Sequence, residues 1–183
     1  MECFMINIFA ISGSLRKLST NTALLHAATV LAPSNVKIVL YEDLGNLPFF
    51  NPDLEGFEPR SVVDFRAKIK AASGVLIASP EYAHGITGVL KNALDWVVGS
   101  GEFVNKPVAL LNGSGRATIA YESLREIMKT IDAKIIDQAS LTIPLPKIID
   151  NTGILASPEI CNMLRMAIAE FIFAINPAIC LVV

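Results

Sequence analysis

The stretch FMINIFAISGSLRKLSTNTALLHAATVL, residues 4–31, joins two segments of different periodicity through a loop rich in hydroxyl groups. Phe4 to Ile11 is an apolar run of strand length. Thr20 to Leu31 has helical spacing, and its apolar side recurs at Leu24, Leu25, Ala28 and Leu31. A buried strand followed at once by a helix is the opening unit of a parallel α/β sheet.

The same alternation continues along the chain. The predicted strands are Val36 to Tyr41, Gly74 to Ser79, Pro107 to Leu111 and Lys134 to Ile136. The predicted helices are Ser61 to Ala72, a stripe over Val89, Leu90, Ala93, Leu94 and Val97, then Ile119 to Ile131 and Glu159 to Ile175. Strand and helix in repeated alternation predict an α/β fold, with a parallel sheet and helices on both of its faces.

No repeat or linker divides residues 1–183, so we expect a single domain. The apolar C-terminal stretch that begins at Met166 is interrupted by Glu170 and by Asn176-Pro177. A membrane span needs ~20 mostly apolar residues, so we expect no membrane anchor. We expect residues 176–183 to form a short apolar tail that packs on the body of the protein or on a partner chain.

Composition narrows the classes of function. The 183 residues are 52% hydrophobic and 17% charged, which excludes a disordered chain and allows a large core. Lys and Arg number 15 against 17 Asp and Glu, so no excess of positive charge is present to bind a nucleic-acid backbone. The three cysteines, Cys3, Cys161 and Cys180, share no metal-ligand or CxxC spacing. This pattern argues against a disulfide framework or a zinc site and favours the cytoplasm.

In parallel sheets, ligands bind beyond the carboxyl ends of the strands, so the loops that follow the strands carry the candidate chemistry. The first loop, Ser12 to Thr22, ends where the unpaired amides of a helix favour a phosphate. Its candidate phosphate ligands are Ser14, Arg16, Ser19, Asn21 and Thr22. No GxxxxGK[ST] or GxGxxG pattern is present, so a single phosphate is favoured over a triphosphate with magnesium. The alternative is that Ser19 or Thr20 only caps the helix and Arg16 is a solvated charge.

The second and third loops offer groups for a planar ring. Ser79 to Ile86 follows the third strand, and its Pro80, Tyr82 and Ile86 could form an apolar wall beside exposed backbone amides. The alternative is a plain turn in which Tyr82 fills the core and His84 is a surface residue. Asn112 to Ala117 follows the fourth strand, and its two glycines allow either close approach of a ligand or a tight turn.

Together these loops resemble the NADPH-dependent FMN reductase family, a branch of the flavodoxin-like fold. The first loop is similar to the family's phosphate signature at Gly13, Ser14, Leu15, Arg16, Ser19 and Asn21. PEY at 80–82 and GVLKNALDW at 88–96 are similar to its second signature, and LPFFNPDLE at 47–55 is similar to its variable segment. The likeness runs from about Phe4 to Asp137.

The resemblance implies a flavodoxin-like three-layer sandwich with a five-stranded parallel sheet and one bound FMN. It places the FMN phosphate at Ser14, Arg16, Ser19, Asn21 and Thr22. It places the isoalloxazine at Pro80, Glu81, Tyr82, Ala83 and His84, with Ser114 and Gly115 on the other side. Many members have Asn at the position of Ala83 and Pro at the position of Thr87. Members are usually oligomers with the flavin near the subunit interface, so we expect a homodimer or homotetramer.

The implied function is that of an FMN-dependent NAD(P)H oxidoreductase, which passes a hydride from NADPH or NADH through FMN to a small acceptor. The acceptor classes are quinones, azo and nitro compounds, chromate and free flavin. Since the flavin carries the chemistry, we predict no catalytic side chain and no metal ligand. Arg16, Lys17 and Arg116 lie where a 2′-phosphate could bind, which favours NADPH. The alternatives are an FMN electron carrier without nicotinamide turnover and a non-catalytic module on the same fold.

Overall fold

Strands and helices alternate in the computed structural model, which describes residues 5–146 and 148–177. The strands are β1 (Ile6–Ser12), β2 (Val36–Tyr41), β3 (Gly74–Ala78), β4 (Pro107–Asn112), β5 (Lys134–Ile135) and β6 (Leu141–Thr142). The helices are α1 (Thr20–Leu31), α2 (Arg60–Ala71), α3 (Gly88–Asp95), α4 (Thr118–Thr130), α5 (Asn151–Leu155) and α6 (Pro158–Ile175). Short 3₁₀ turns lie at Leu44–Asn46, Pro52–Leu54 and Asp137–Ala139.

The strands form one parallel sheet in the order β2-β1-β3-β4-β5. The fifth position of the sheet is shared by two short strands, because β5 pairs with the start of β4 and β6 pairs with its end. From β1 the chain passes to the edge strand β2, and it then crosses back over β1 to reach β3. The winding direction therefore reverses beside β1. In such a doubly wound sheet the ligand crevice lies at this reversal, beyond the carboxyl ends of β1 and β3.

Two apolar cores cover the two faces of the sheet and make the three layers. Side chains alternate along β1, so Ile8 and Ala10 face the core under α1 and α6. Phe9 and Ile11 face the opposite core, under α2, α3 and α4. Because β1 is buried on both faces, its sequence is apolar apart from the exposed Asn7 and its final serine, and its apolar character and length, not an alternating period, identified it.

The predicted elements are present with small shifts at their ends. The helix predicted over Ser61 to Ala72 is α2, and the last predicted helix begins one residue earlier, at Pro158. The strand predicted over Lys134 to Ile136 contains only two residues, and the sequence did not indicate β6 or α5. Elements of two to five residues are too short to show a period, so pattern analysis misses them. The first predicted strand residue, Phe4, and residues 178–183 of the predicted tail lie outside the described residues.

The ends of β1 and β3 approach each other closely at Gly13. Its amide donates to the carbonyl of Ala78 at 2.8 Å, and its carbonyl accepts the hydroxyl of Thr87 at 2.6 Å. A Cβ atom at Gly13 would lie 2.3 Å from Oγ of Ser79 and 3.2 Å from its backbone Cα. The first two loops can therefore meet only if this residue has no side chain.

We expect Gly13→Ala to lower the free energy of unfolding by about 1–3 kcal/mol, because the added methyl group overpacks the contact with Ser79. Chemical denaturation of both proteins measures the difference. Gly88→Ala is the matched control, since a Cβ there meets no atom within 4 Å and Gly88 begins a helix that favours alanine. Equal stability of Gly13→Ala and the wild type would contradict the close approach.

Among the described residues, no helix combines the length and the apolar character needed to span a bilayer.

Candidate functional site

The buried polar side chains of the described residues gather at the carboxyl edge of the sheet. They are Ser12, Ser19, Asn21, Thr87 and Asn112. Each belongs to one of the segments that follow β1, β3 and β4, or ends one of these strands. Burial of a polar group costs free energy unless it is hydrogen-bonded, and each of these side chains has a partner. This edge is therefore a polar site that the fold builds in advance.

The first loop is organised by serine and threonine hydroxyls. Oγ of Ser19 accepts from the amide of Thr22 at 3.3 Å, so Ser19 is the N-cap of α1. Oγ of Ser12 shares a hydrogen bond of 2.7 Å with the hydroxyl of Thr22. The amide of Arg16 donates to Oγ of Ser14 at 3.3 Å, which closes a tight turn. The alternative role of Ser19 as a helix cap is thus real, but the hydroxyl hydrogen is still free to donate to a ligand.

The donor set of this loop fits a phosphate. Arg16 and Lys17 are exposed, and neither forms an ion pair within residues 5–146 and 148–177. Within the same ranges, the amides of Lys17 and Leu18 donate to no protein group. Free N–H groups and a guanidinium ahead of a helix are the donors that an anion requires.

Asn21 joins the first loop to the third. Its Oδ1 accepts from the amide of Gly113 at 3.3 Å, and a Cβ at Gly113 would lie 3.3 Å from Cγ2 of Thr20. The side-chain oxygen of Asn21 is therefore used within the protein, and only its NH₂ group remains to donate to a ligand. Glycine at position 113 permits this close contact between the loops.

Two hydrogen bonds of the Asn112 side chain fix the shape of the third loop. Its Oδ1 accepts from the amide of Ser114 at 3.0 Å, and its Nδ2 donates to the carbonyl of Ala117 at 3.1 Å. This pairing leaves Ser114 half-buried and Gly115 exposed at the rim. The two predicted ring contacts of this loop are thus on the accessible side of the edge.

The second loop is a tight hairpin turn. The backbones of Tyr82 and Gly85 exchange two hydrogen bonds of 3.0 Å. Ala83 and His84 between them have φ angles of 49° and 58°, the pattern of a type I′ turn. An alanine in this region is strained by about 1–2 kcal/mol, whereas asparagine adopts it readily. The family's preference for Asn at this position therefore has a backbone explanation that does not need a side-chain contact to the flavin.

Glu81 ties this hairpin to the helix that follows the third loop. One carboxylate oxygen accepts from the amide of Ala120 at 2.9 Å, in the first turn of α4, and the other pairs with Nδ1 of His84 at 3.0 Å. The Ala120 amide, helped by His84, holds the pKa of Glu81 below its ordinary value of 4.5, although partial burial of the carboxylate opposes the shift. Since both oxygens are used, the predicted contact of Glu81 with a flavin ring would come from its backbone.

Tyr82 projects outward from the turn. Its side chain is 56% exposed, so the alternative in which it fills the core is wrong. Pro80 is half-buried beside it, and the imidazole of His84 is 78% exposed. The predicted ring-binding residues therefore offer an aromatic face and backbone groups to solvent at one edge.

Thr87, Asn92 and Trp96 are structural supports of the site that the sequence reasoning did not identify. Thr87 caps α3 by accepting from the amide of Leu90, and its hydroxyl donates to Gly13. Asn92 and Trp96 both donate to the carbonyl of Pro48, at 3.0 and 2.8 Å. A threonine directly before a helical stripe is an N-cap signal that could have revealed Thr87. The contacts to Pro48 join residues more than 40 positions apart and leave no local signal.

The chain is similar to known proteins over most of its length. Residues 6–145 match the model of the family described as NADPH-dependent FMN reductase. The chain belongs to this family. It is 36% identical over 174 residues to a probable NADPH:quinone oxidoreductase 2 of Oryza sativa, covering 87% of this chain and 84% of the relative. It is 38% identical over 146 residues to an NAD(P)H-dependent FMN reductase of Pseudomonas aeruginosa, covering 75% and 77%.

A solved structure shows the same architecture. The flavoenzyme NAD(P)H:(acceptor) oxidoreductase FerB from Paracoccus denitrificans is similar with a TM-score of 0.79 and 25% identity, covering 94% of this chain and 98% of that one. The flavodoxin-like fold and the family predicted from the sequence are confirmed. With them, the predicted enzyme class is confirmed: NAD(P)H-dependent flavin oxidoreductases that use FMN.

We expect Glu81→Gln to weaken the acid dependence of stability. Because the folded-state pKa of Glu81 is lowered, its contribution is present above pH ~4.5 and is lost as the pH falls through the folded-state value. Unfolding free energies of the variant should therefore fall less steeply than those of the wild type below pH 4.5. Glu170→Gln, at an exposed position of α6, is the control that should keep the wild-type slope. Parallel curves for wild type and Glu81→Gln would show that the contact with Ala120 contributes nothing.

Proposed function

We propose that this protein is an FMN-dependent NAD(P)H oxidoreductase whose acceptors are small molecules, with quinones as the main class. The observation that carries the proposal is the joining of three loops at the reversal of the sheet: Thr87 donates to Gly13, Asn21 accepts from Gly113, and Glu81 accepts from Ala120 at the start of α4. The relatives named quinone oxidoreductases support the acceptor class. We also propose that residues 1–183 form one domain.

The first loop binds the phosphate of FMN in this proposal. Ser14 and Ser19 donate from their hydroxyls, Arg16 supplies a charge-assisted bond, and Asn21 and Thr22 complete the cradle. The buried partners of Ser19, Asn21 and Thr22 hold these groups in place before the ligand arrives. Binding therefore costs little ordering of the protein.

The second and third loops bind the ring of FMN. The turn of Pro80 to His84 presents backbone groups to its polar edge, and Ser114 and Gly115 lie at the other side. Bound FMN supplies the hydride chemistry between the nicotinamide and the acceptor. Tyr82 offers an exposed aromatic face at the edge where both substrates stack. The protein's part is to hold the reacting rings in contact, so we assign no acid–base residue.

The apolar side chains around the edge support an oligomer. Leu15, Leu18, Tyr82, Ile119 and Ile148 are each more than half exposed and surround the loops. A second copy that covers them would shield a bound flavin from water, so we propose a homodimer or homotetramer. Among the described residues Arg16, Lys17 and Arg116 form no ion pair, and in our proposal these three cations favour NADPH over NADH. We also propose a cytoplasmic location, which suits the free thiol of Cys161.

The purified protein should be yellow, or become yellow with added FMN, and anaerobic NADPH should bleach the flavin band. It should then oxidise NADPH continuously when a benzoquinone is supplied. Stopped-flow absorbance resolves the two halves of the cycle. Flavin that stays oxidised with NADPH would indicate an electron carrier, and a protein that binds no FMN would indicate the non-catalytic module.

We expect Ser14→Ala combined with Arg16→Ala to weaken FMN binding by about 3–6 kcal/mol, because two bonds to a charged phosphate are lost at ~1.5–3 kcal/mol each. Riboflavin, which has no phosphate, should bind both proteins equally. Lys37→Ala, an exposed cation on β2, is the control. Unchanged FMN affinity in the double variant, measured by calorimetry, would place the phosphate elsewhere.

A further inference from the structure

A cavity adjoins the first loop, and none of the predicted ring-binding residues lines it. It has a volume of about 440 Å³ and lies between α1 and the segment that leads into α5. Its lining includes Lys17, His26, Ile148, Asp150 and Asn151. The volume lies within the range of roughly 300–1,000 Å³ that is typical of small-molecule sites. Half of the lining has no role in the function proposed above: Ala23, His26, Ile149, Asp150 and Asn151.

The groove is continuous with the proposed phosphate cradle. Ser19 and Thr22 line the groove, and the same two residues belong to the cradle. A ligand whose phosphate occupies the first loop can therefore extend from it in two directions. One direction leads over the strand ends to Tyr82, and the other leads into this groove.

The lining of the groove matches the parts of an adenosine. Leu18, Ala23 and Ile149 provide apolar walls for the faces of a planar base. The carboxamide of Asn151 makes no side-chain hydrogen bond within the described ranges, and an asparagine amide pairs with both N6 and N7 of adenine. A purine with a donor and an adjacent acceptor is thus the base that this side chain suits.

The charged and polar side chains of the lining indicate which phosphate and ribose groups the groove suits. Lys17 supplies an exposed cation beside the groove and His26 an exposed imidazole whose ring N–H can donate, and both groups suit a 5′-phosphate. Asp150 carries a negative charge at the same wall, where one carboxylate oxygen caps α5 by accepting from the amide of Gly153 at 2.8 Å. A carboxylate accepts from ribose hydroxyls and repels a 2′-phosphate, as in NAD sites that bind the ribose through an acidic residue. The groove therefore suits an adenosine whose ribose hydroxyls are free.

We propose that this groove is a subsite for an adenosine 5′-phosphate, joined at Ser19 and Thr22 to the site of the flavin phosphate. The proposal rests on the proposed function, because it takes the first loop as the flavin phosphate site. FAD carries such a group directly beyond that phosphate, so the site accepts FAD as well as FMN. NADH carries the same group and is the other source; in that case Asp150 favours NADH, and the preference for NADPH proposed above from Arg16, Lys17 and Arg116 would be wrong.

Calorimetry on the flavin-free full chain, with AMP, inorganic phosphate, FMN and FAD as separate probes, tests the proposal. AMP should bind at least about tenfold more tightly than phosphate, and FAD at least as tightly as FMN. His26→Ala with Asn151→Ala should remove the advantage of AMP and weaken FAD about tenfold, since two hydrogen bonds are lost at ~0.5–1.5 kcal/mol each. FMN affinity should stay within about threefold of the wild type. Asn162→Ala on α6 is the matched control and should change none of these values.

A second measurement, the KM for NADH, distinguishes the two sources of the adenosine. The KM for NADH of the FMN-loaded protein should rise in the double variant only if the groove serves the nicotinamide nucleotide. A loss of FAD affinity in the double variant, with FMN affinity unchanged, assigns the groove to the flavin. If AMP binds no better than phosphate and the double variant alters neither FAD affinity nor the KM for NADH, the subsite does not exist. Failure of FMN itself to bind would overturn the proposed function instead, and the AMP comparison would still decide the groove.

Discussion

The contact between the ends of β1 and β3 at Gly13 holds the candidate site together. The hydroxyl of Thr87 reaches the carbonyl of Gly13 at 2.6 Å, and Thr87 is buried. In a buried setting no water competes for this bond, and an unpaired carbonyl would be costly. The bond fixes the loop that follows β1 against the start of α3, and the absence of a side chain at Gly13 lets the backbone of Ser79 come near. Both loops are positioned by this one junction.

Around the junction, side chains divide into those that build the site and those that remain available. Ser12 and Asn112 are buried and form hydrogen bonds within their own loops, and the buried Asn21 forms one with the third loop. Arg16 and Tyr82 are exposed and make no such bonds. This division is typical of binding loops on a rigid scaffold, because buried bonds order the backbone before a ligand arrives. The same division would let this edge hold the flavin where we propose it.

The hairpin that follows β3 has the same division between an exposed side chain and one that holds the backbone in place. A type I′ turn presents Tyr82 outward, and Glu81 anchors the turn to the first turn of α4. The sequence analysis predicted that Glu81 contacts the ring. In the structure its carboxylate instead supports the backbone that would meet the ring. Ala83 accepts strain in this turn that an asparagine would avoid. The groove between α1 and α5 extends the site in the opposite direction, and the phosphate cradle lies between the two.

The local order of residues was sufficient for the alternation of the longer strands and helices and for the loops that carry polar groups. Buried parallel strands are continuous apolar runs, and a serine before a helix is a cap, so both leave signals within a few residues. The family signatures likewise occupy short segments, and Ser14, Arg16 and Ser19 could be named from them. What the chain order could not show is which atoms of these residues are already used. Only the fold brings Asn21 to Gly113, Glu81 to Ala120 and Asn151 to the side of α1, because these partners are distant in sequence and no periodic pattern records a contact made through space.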